Sequence, residues 1–79
     1  TRSLAQEWAP QVRVNCISPG LIQTEASDRF YPELSEVADT VPMKRLGRPE
    51  DIAHAVLFLM TNGYVNGINL AVDGGGLLV

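Results

Sequence analysis

An abrupt change of chemistry between Val12 and Thr24 constrains the fold more than any other feature of this sequence. Val12, Val14 and Cys16 alternate with Arg13 and Asn15, the period of a strand with two distinguishable faces, and Pro19 followed by Gly20 must end it. Proline removes a ladder donor. Glycine, with no Cβ, lets the chain turn sharply and lets a planar ligand approach the backbone. Ligands of open α/β sheets sit beyond the carboxyl ends of strands, so the backbone of Leu21 and Ile22 and the Thr24 hydroxyl are expected to face a crevice.

A doubly wound sheet needs two βαβαβ halves, and 79 residues are too few for both, so the chain is expected to hold a piece of one. It has no initiating methionine and is read as cut from something longer. No apolar run approaches the ~20 residues of a membrane span, and no membrane partner is expected. The net charge is −3 and the six basic residues are scattered, which gives no electrostatic footprint for nucleic acid. Cys16 is the single cysteine; it cannot form an internal disulfide, has no metal-ligand spacing around it, and is read as a buried inert thiol. A cytoplasmic location is the expectation, and no metal site is expected.

Along the chain, Leu4, Ala5 and Trp8 mark one face of a helix that Pro10 should stop, and the lack of a capped start suggests the back half of a longer helix. Residues 25–41 carry two weaker helical patterns, the clearer with Leu34, Val37, Ala38 and Val41 on one face. Phe30 and Tyr31 in this flap either line a pocket or pack on the sheet. Pro49 suits the first position of a helix, with Glu50 and Asp51 complementing its dipole rather than forming an acid/base or metal pair. That helix, to about Met60, is apolar nearly all round, so both of its sides are expected to be covered. His54 is read as a surface or interface residue, not a catalyst. Residues 68–72 alternate as a second strand, parallel to the first through a right-handed crossover. The glycines at 74–76 follow a strand but leave only Leu77, Leu78 and Val79, too few for the helix that a phosphate loop needs.

Three runs together, Arg13-Val14-Asn15 with Pro19-Gly20-x-Ile22-x-Thr24, Arg45-x-Gly47-x-Pro49-Glu50-Asp51-Ile52-Ala53, and Val72-Asp73-Gly74-Gly75, resemble the C-terminal part of a short-chain dehydrogenase/reductase. The resemblance implies an α/β fold: the C-terminal part of a Rossmann-like doubly wound parallel sheet, strand-helix-strand with a preceding helix and a helical flap. Residues 1–79 would then form a C-terminal fragment of one NAD(P)-binding domain. It implies a parent that transfers hydride between NAD or NADP and a small-molecule carbonyl or alcohol substrate. Ile22 would hydrogen-bond the nicotinamide carboxamide through its backbone, Pro19 and Gly20 would wall the ring, and the Thr24 hydroxyl would bond carboxamide or pyrophosphate. The family's catalytic Tyr-x-x-x-Lys pair is absent, because neither Tyr31 nor Tyr64 has a lysine four residues on. No catalytic residue is therefore expected in this chain, which should be inactive alone.

Two strands and one core in so few residues leave apolar surface open, and a partner surface is expected. Homo-oligomerisation through residues 52–60, from Ile52 to Met60, and residues 68–72, from Ile68 to Val72, would supply it. The alternative function is a non-catalytic self-association module built on the same two segments.

Overall fold

The structure, a computed structural model, describes residues 1–76. The last three residues, including the expectation that they are too few for a helix, lie outside the described part. The elements run in the order α1 (Arg2–Trp8), β1 (Cys16–Pro19), α2 (Glu25–Phe30), a 3-10 helix (Pro32–Thr40), α3 (Pro49–Thr61) and β2 (Asn69–Val72).

The two strands are parallel, with Cys16 opposite Asn69 and Pro19 opposite Val72. Cys16 donates to the Ile68 carbonyl at 2.9 Å and Gly20 to the Val72 carbonyl at 2.9 Å. Donors facing β2 thus fall at 16 and 20, and an N–H at position 19 would point away from the pair. Proline at 19 therefore costs this ladder nothing. Helix α3 crosses between the strands and buries Ala55 and Leu59.

The first strand is shorter than its alternation predicts. Residues 12–15 lie outside it, and Val12 is exposed. Side chains interrupt the ladder here: the Val14 N–H donates to Asn66 Oδ1 at 3.0 Å, and Asn15 Oδ1 accepts the Ile68 N–H at 3.0 Å, while the Val14 carbonyl still accepts the Gly67 N–H at 2.9 Å. Asn15 Nδ2 also donates to the Val65 carbonyl, and Asn66 Nδ2 to the Ala5 carbonyl of α1. The Arg13 guanidinium donates to the carbonyls of Leu59, Met60 and Val65 at 2.8–3.1 Å. It caps the carboxyl end of α3, where backbone acceptors have no partner in the helix and a positive charge suits the dipole.

The flap is two helical pieces, as its pattern suggests, although the second is a 3-10 helix. Leu34, Val37 and Ala38 are half-buried and Val41 is buried, in line with their shared face. Phe30 and Tyr31 are 67% and 60% exposed, so among the described residues they are not packed into the core. Cys16 is half-buried rather than buried. Helix α3 is covered along one stripe only, while Leu57 and Met60 stand 60% and 69% exposed, contrary to the expectation that both sides are covered.

The core is thin. Ala5, Val41, Leu46, Ala55 and Leu59 are its buried apolar members among the described residues. The radius of gyration is 15.1 Å, against roughly 12 Å for a compact domain of this length. The chain is thus spread out relative to a closed domain, and its exposed apolar faces are the geometric result.

Candidate functional site

The carboxyl ends of β1 and β2 open onto a cleft of about 430 Å³. Ser18, Pro19, Gly20 and Leu21 form one wall, Thr40 and Val41 of the flap another, and Asp73 and Gly76 the rest. Pro19 and Gly20 thus line a cleft at the strand ends. Ile22 and Thr24 follow next along the chain but do not line this cleft.

Gly20 has a reason the sequence does not reveal. A Cβ built on it would lie 2.8 Å from both Cα and Cβ of Asp73, closer than real side chains come. The glycine lets the ends of the two strands close on one another, so protein packing already accounts for it without a ligand. Asp73 then turns the chain: its Oδ1 accepts the Gly75 N–H at 2.9 Å, and Gly74 and Gly75 take φ of 63° and 88°. These are left-handed values that favour glycine. The Met43 N–H donates to the Gly74 carbonyl at 3.1 Å, which ties the end of β2 to the base of the flap.

Ile22 forms an isolated parallel bridge with Gly47. The bonds are made by its neighbours: Gly47 N–H donates to Leu21 O at 2.9 Å and Gln23 N–H to Gly47 O at 2.8 Å. In a parallel bridge of this pattern the central residue's own N–H and C=O point to the opposite side. Neither group of Ile22 has a hydrogen-bond partner among the described residues. Ile22 thus presents one donor and one acceptor, side by side, on a half-buried segment.

Thr24 is the N-cap of α2. Its Oγ1 accepts the Ser27 N–H at 3.0 Å, and Ser27 Oγ accepts the Thr24 N–H at 2.8 Å, a reciprocal capping box. The hydroxyl oxygen is engaged as an acceptor, and its proton is still available to donate.

The loop before α3 is stapled by Asp51. Its carboxylate accepts the Arg48 N–H at 2.8 Å and pairs with Arg45 at 2.9 Å. The Arg45 hydrogen bond, and then the Arg48 N–H, hold the Asp51 carboxyl below its ordinary value, and the same contact raises Arg45. The adjacent acids are therefore a helix-start device, as expected, but the dipole argument missed the arginine that Asp51 holds. The only prior hint was the spacing Arg45-x-x-Arg48-x-x-Asp51. His54 is exposed and borders a second, smaller cleft with Glu50 and Asp51. No cluster of three or more metal-ligating side chains occurs among the described residues. Sequence reasoning also missed Asp73, Thr40 and Val41 as cleft residues, since they approach Pro19 and Gly20 only through the fold.

The arrangement can hold a planar polar group against backbone, and the acid that lines the cleft, Asp73, has its Oδ1 engaged by the Gly75 N–H. No described helix is long and apolar enough to cross a membrane.

Comparison with known proteins agrees with this geometry. The family model described as enoyl-(acyl carrier protein) reductase matches residues 1–76. Galactitol 2-dehydrogenase (L-tagatose-forming) of Cereibacter sphaeroides is 51% identical over 81 residues, covering 95% of this chain and 32% of that protein. Dehydrogenase/reductase SDR family member 4 of Rattus norvegicus is 40% identical over 81 residues, covering 95% and 29%. The crystal structure of a small-chain dehydrogenase in complex with NADPH superposes with a TM-score of 0.86 at 40% identity, covering all of this chain and 38% of that one. The chain spans about a third of the length of these relatives. Its parallel strand pair with flanking helices is thus a partial Rossmann-like α/β unit, and the chain belongs to the short-chain dehydrogenase/reductase family.

Proposed function

We propose that this chain forms the nicotinamide-side wall of an NAD(P)-dependent oxidoreductase, as the C-terminal portion of a single cofactor-binding domain. The observation that carries this is Ile22. Its N–H and C=O are turned away from Gly47, and a carboxamide offers the acceptor and donor that match them. Two such bonds fix the plane of an amide, and a fixed plane presents one face of the attached ring. Pro19 and Gly20 shape the adjoining wall, and the Thr24 hydroxyl, its oxygen engaged by Ser27, donates its proton to the carboxamide or pyrophosphate. The bound nicotinamide supplies hydride exchange with a carbonyl or alcohol carbon. The proton for the substrate oxygen comes from a group outside this chain, because no Tyr-x-x-x-Lys pair is present.

Titration of the full-length protein with NADH and NADPH tests the reading. Binding of one or both, weakened by Thr24→Ala, is expected; no binding of either would refute it. The 79 residues alone should show no cofactor-dependent turnover with any carbonyl, and measurable turnover would place the chemistry within this chain.

A second element of the proposal is self-association through α3 and residues 68–72. The exposed apolar side chains Leu57, Phe58 and Met60 favour it. Leu59 is only 8% exposed, so a charge there reads the fold, whereas Met60→Glu reads assembly. Sedimentation should show a smaller species for Met60→Glu than for the wild-type protein, and an unchanged mass would remove this face from the contact.

A further inference from the structure

We infer that Asp51 is a positioning residue that sets the direction of the Ile22 peptide groups by fixing the loop that carries Gly47; the inference rests on the reading of Ile22 as the nicotinamide anchor. Gly47 is the bridge partner that turns Ile22 outward, yet it has no side chain by which to be held. A Cβ there would lie 2.5 Å from Ile22 Cδ1, the mobile tip of that side chain. The position of Gly47 is therefore set by the residues on either side.

Both sides lead to the same carboxylate. After Gly47, the Arg48 N–H donates to Asp51 Oδ2 at 2.8 Å. Before it, Arg45 Nη1 donates to Asp51 Oδ2 at 2.9 Å and also to the Leu46 carbonyl at 3.0 Å. A longer contact, 3.5 Å, joins Arg45 Nη2 to Asp51 Oδ1. Asp51 itself is fixed to the first turn of α3, where its N–H donates to the Arg48 carbonyl at 2.9 Å, and α3 is seated on the core through Ala55 and Leu59. A simple helix cap would need only the Arg48 contact. The Arg45 arm reaches back across Gly47 and closes the loop, leaving the Gly47 N–H and C=O aligned for Leu21 and Gln23. Rotation of that peptide would tilt Ile22 and misalign both of its outward groups, and hydrogen bonds weaken steeply with angle.

The test measures, in the full-length protein, the affinity of whichever of NADH and NADPH it binds and of the matching ADP-ribose, which lacks the nicotinamide. Asp51→Ala should weaken the dinucleotide about 3- to 10-fold and leave ADP-ribose within about twofold, as loss of one or two oriented hydrogen bonds at the nicotinamide end requires. Asp51→Asn, which keeps an acceptor for the Arg48 N–H but loses the negative charge that pairs with Arg45, should fall between. Arg45→Ala leaves the cap in place and gives the same differential readout if Asp51→Ala does not fold. Equal losses for both ligands would reveal a merely structural role and overturn the inference, as would no change for either. A wild-type protein that binds the dinucleotide no better than ADP-ribose would overturn the Ile22 anchor itself, and this inference with it.

Discussion

At the amino ends of β1 and β2, side chains join the backbone in closing the strands together, whereas at their carboxyl ends backbone meets backbone. Arg13, Asn15 and Asn66 occupy the carbonyls and amides of residues 59–68 and of Ala5. At the other end, Gly20 meets Asp73, and Leu21 and Gln23 meet Gly47, with main chain against main chain. Side chains that saturate backbone seal a surface; glycines that bring backbones together leave outward-pointing peptide groups to be used. The two ends of the same strand pair thus differ in what their backbone leaves exposed, and the carboxyl end is the one we propose for contact with a ligand, in keeping with the binding end of open α/β sheets.

The comparison predicts that substitutions at the two ends differ in what they disturb. Arg13→Ala should have the largest effect, about 1.5–3 kcal/mol of stability, since it strips a charged donor from three carbonyls. Urea denaturation of the full-length protein measures it, and the folded remainder should bind cofactor as before; a stability unchanged within error would mean that water replaces the guanidinium at no cost.

Gly20→Ala should cost about 1–3 kcal/mol through overpacking against Asp73. Unlike Arg13→Ala, it should also weaken cofactor binding, because Asp73 must move and it lines the same cleft. Loss of stability with unaltered affinity would sever the cleft from the cofactor.

Thr24→Ala should weaken cofactor binding by about 0.5–1.5 kcal/mol, the value of one neutral hydrogen bond. The start of α2 loses its cap as well, so the dissociation constant is to be compared with that of Ser27→Ala, which keeps the bond to Thr24 Oγ1 and loses the two made by the Ser27 hydroxyl. Equal losses in the two variants would assign Thr24 to the helix and not to the cofactor.

The smallest effect is that of pH on the Arg45–Asp51 pair, whose members are solvent-exposed and screened by salt. The Asp51 carboxyl titrates lower in the folded chain than unfolded, so its contribution is present above the ordinary aspartate value and is lost as pH falls through the depressed one. The melting temperatures of wild type and Asp51→Asn should therefore converge on acidification, and also at high salt. A difference that persisted in acid would show that shape, not charge, holds the loop.

Much of the fold was legible in local chemistry. Pro49 opens α3, Pro10 follows the end of α1, the alternation at residues 68–72 marks β2, and Pro19 with Gly20 closes β1. Each of these signals acts through the residue's own φ, its own N–H or its neighbours, so no distant contact is needed to read it. The misses came where distant groups intervene. Residues 12–15 carry a strand's alternation yet are drawn off the ladder by amides more than fifty residues away, and Asn15 bonds at both ends only because the chain returns at Val65 and Ile68. Phe30 and Tyr31, aromatic in a helical flap, carry no local signal for the exposure they have in this chain.

The sequence by itself determined where strands and helices stop and which acids lie in the first turn of α3. Tertiary structure alone decided that Gly20 serves Asp73, that Gly47 turns Ile22 outward, and that Arg13 seals the end of α3. The division follows from range: backbone preference is fixed within a few residues, whereas the direction in which a peptide group points depends on which distant strand or loop takes up its neighbours.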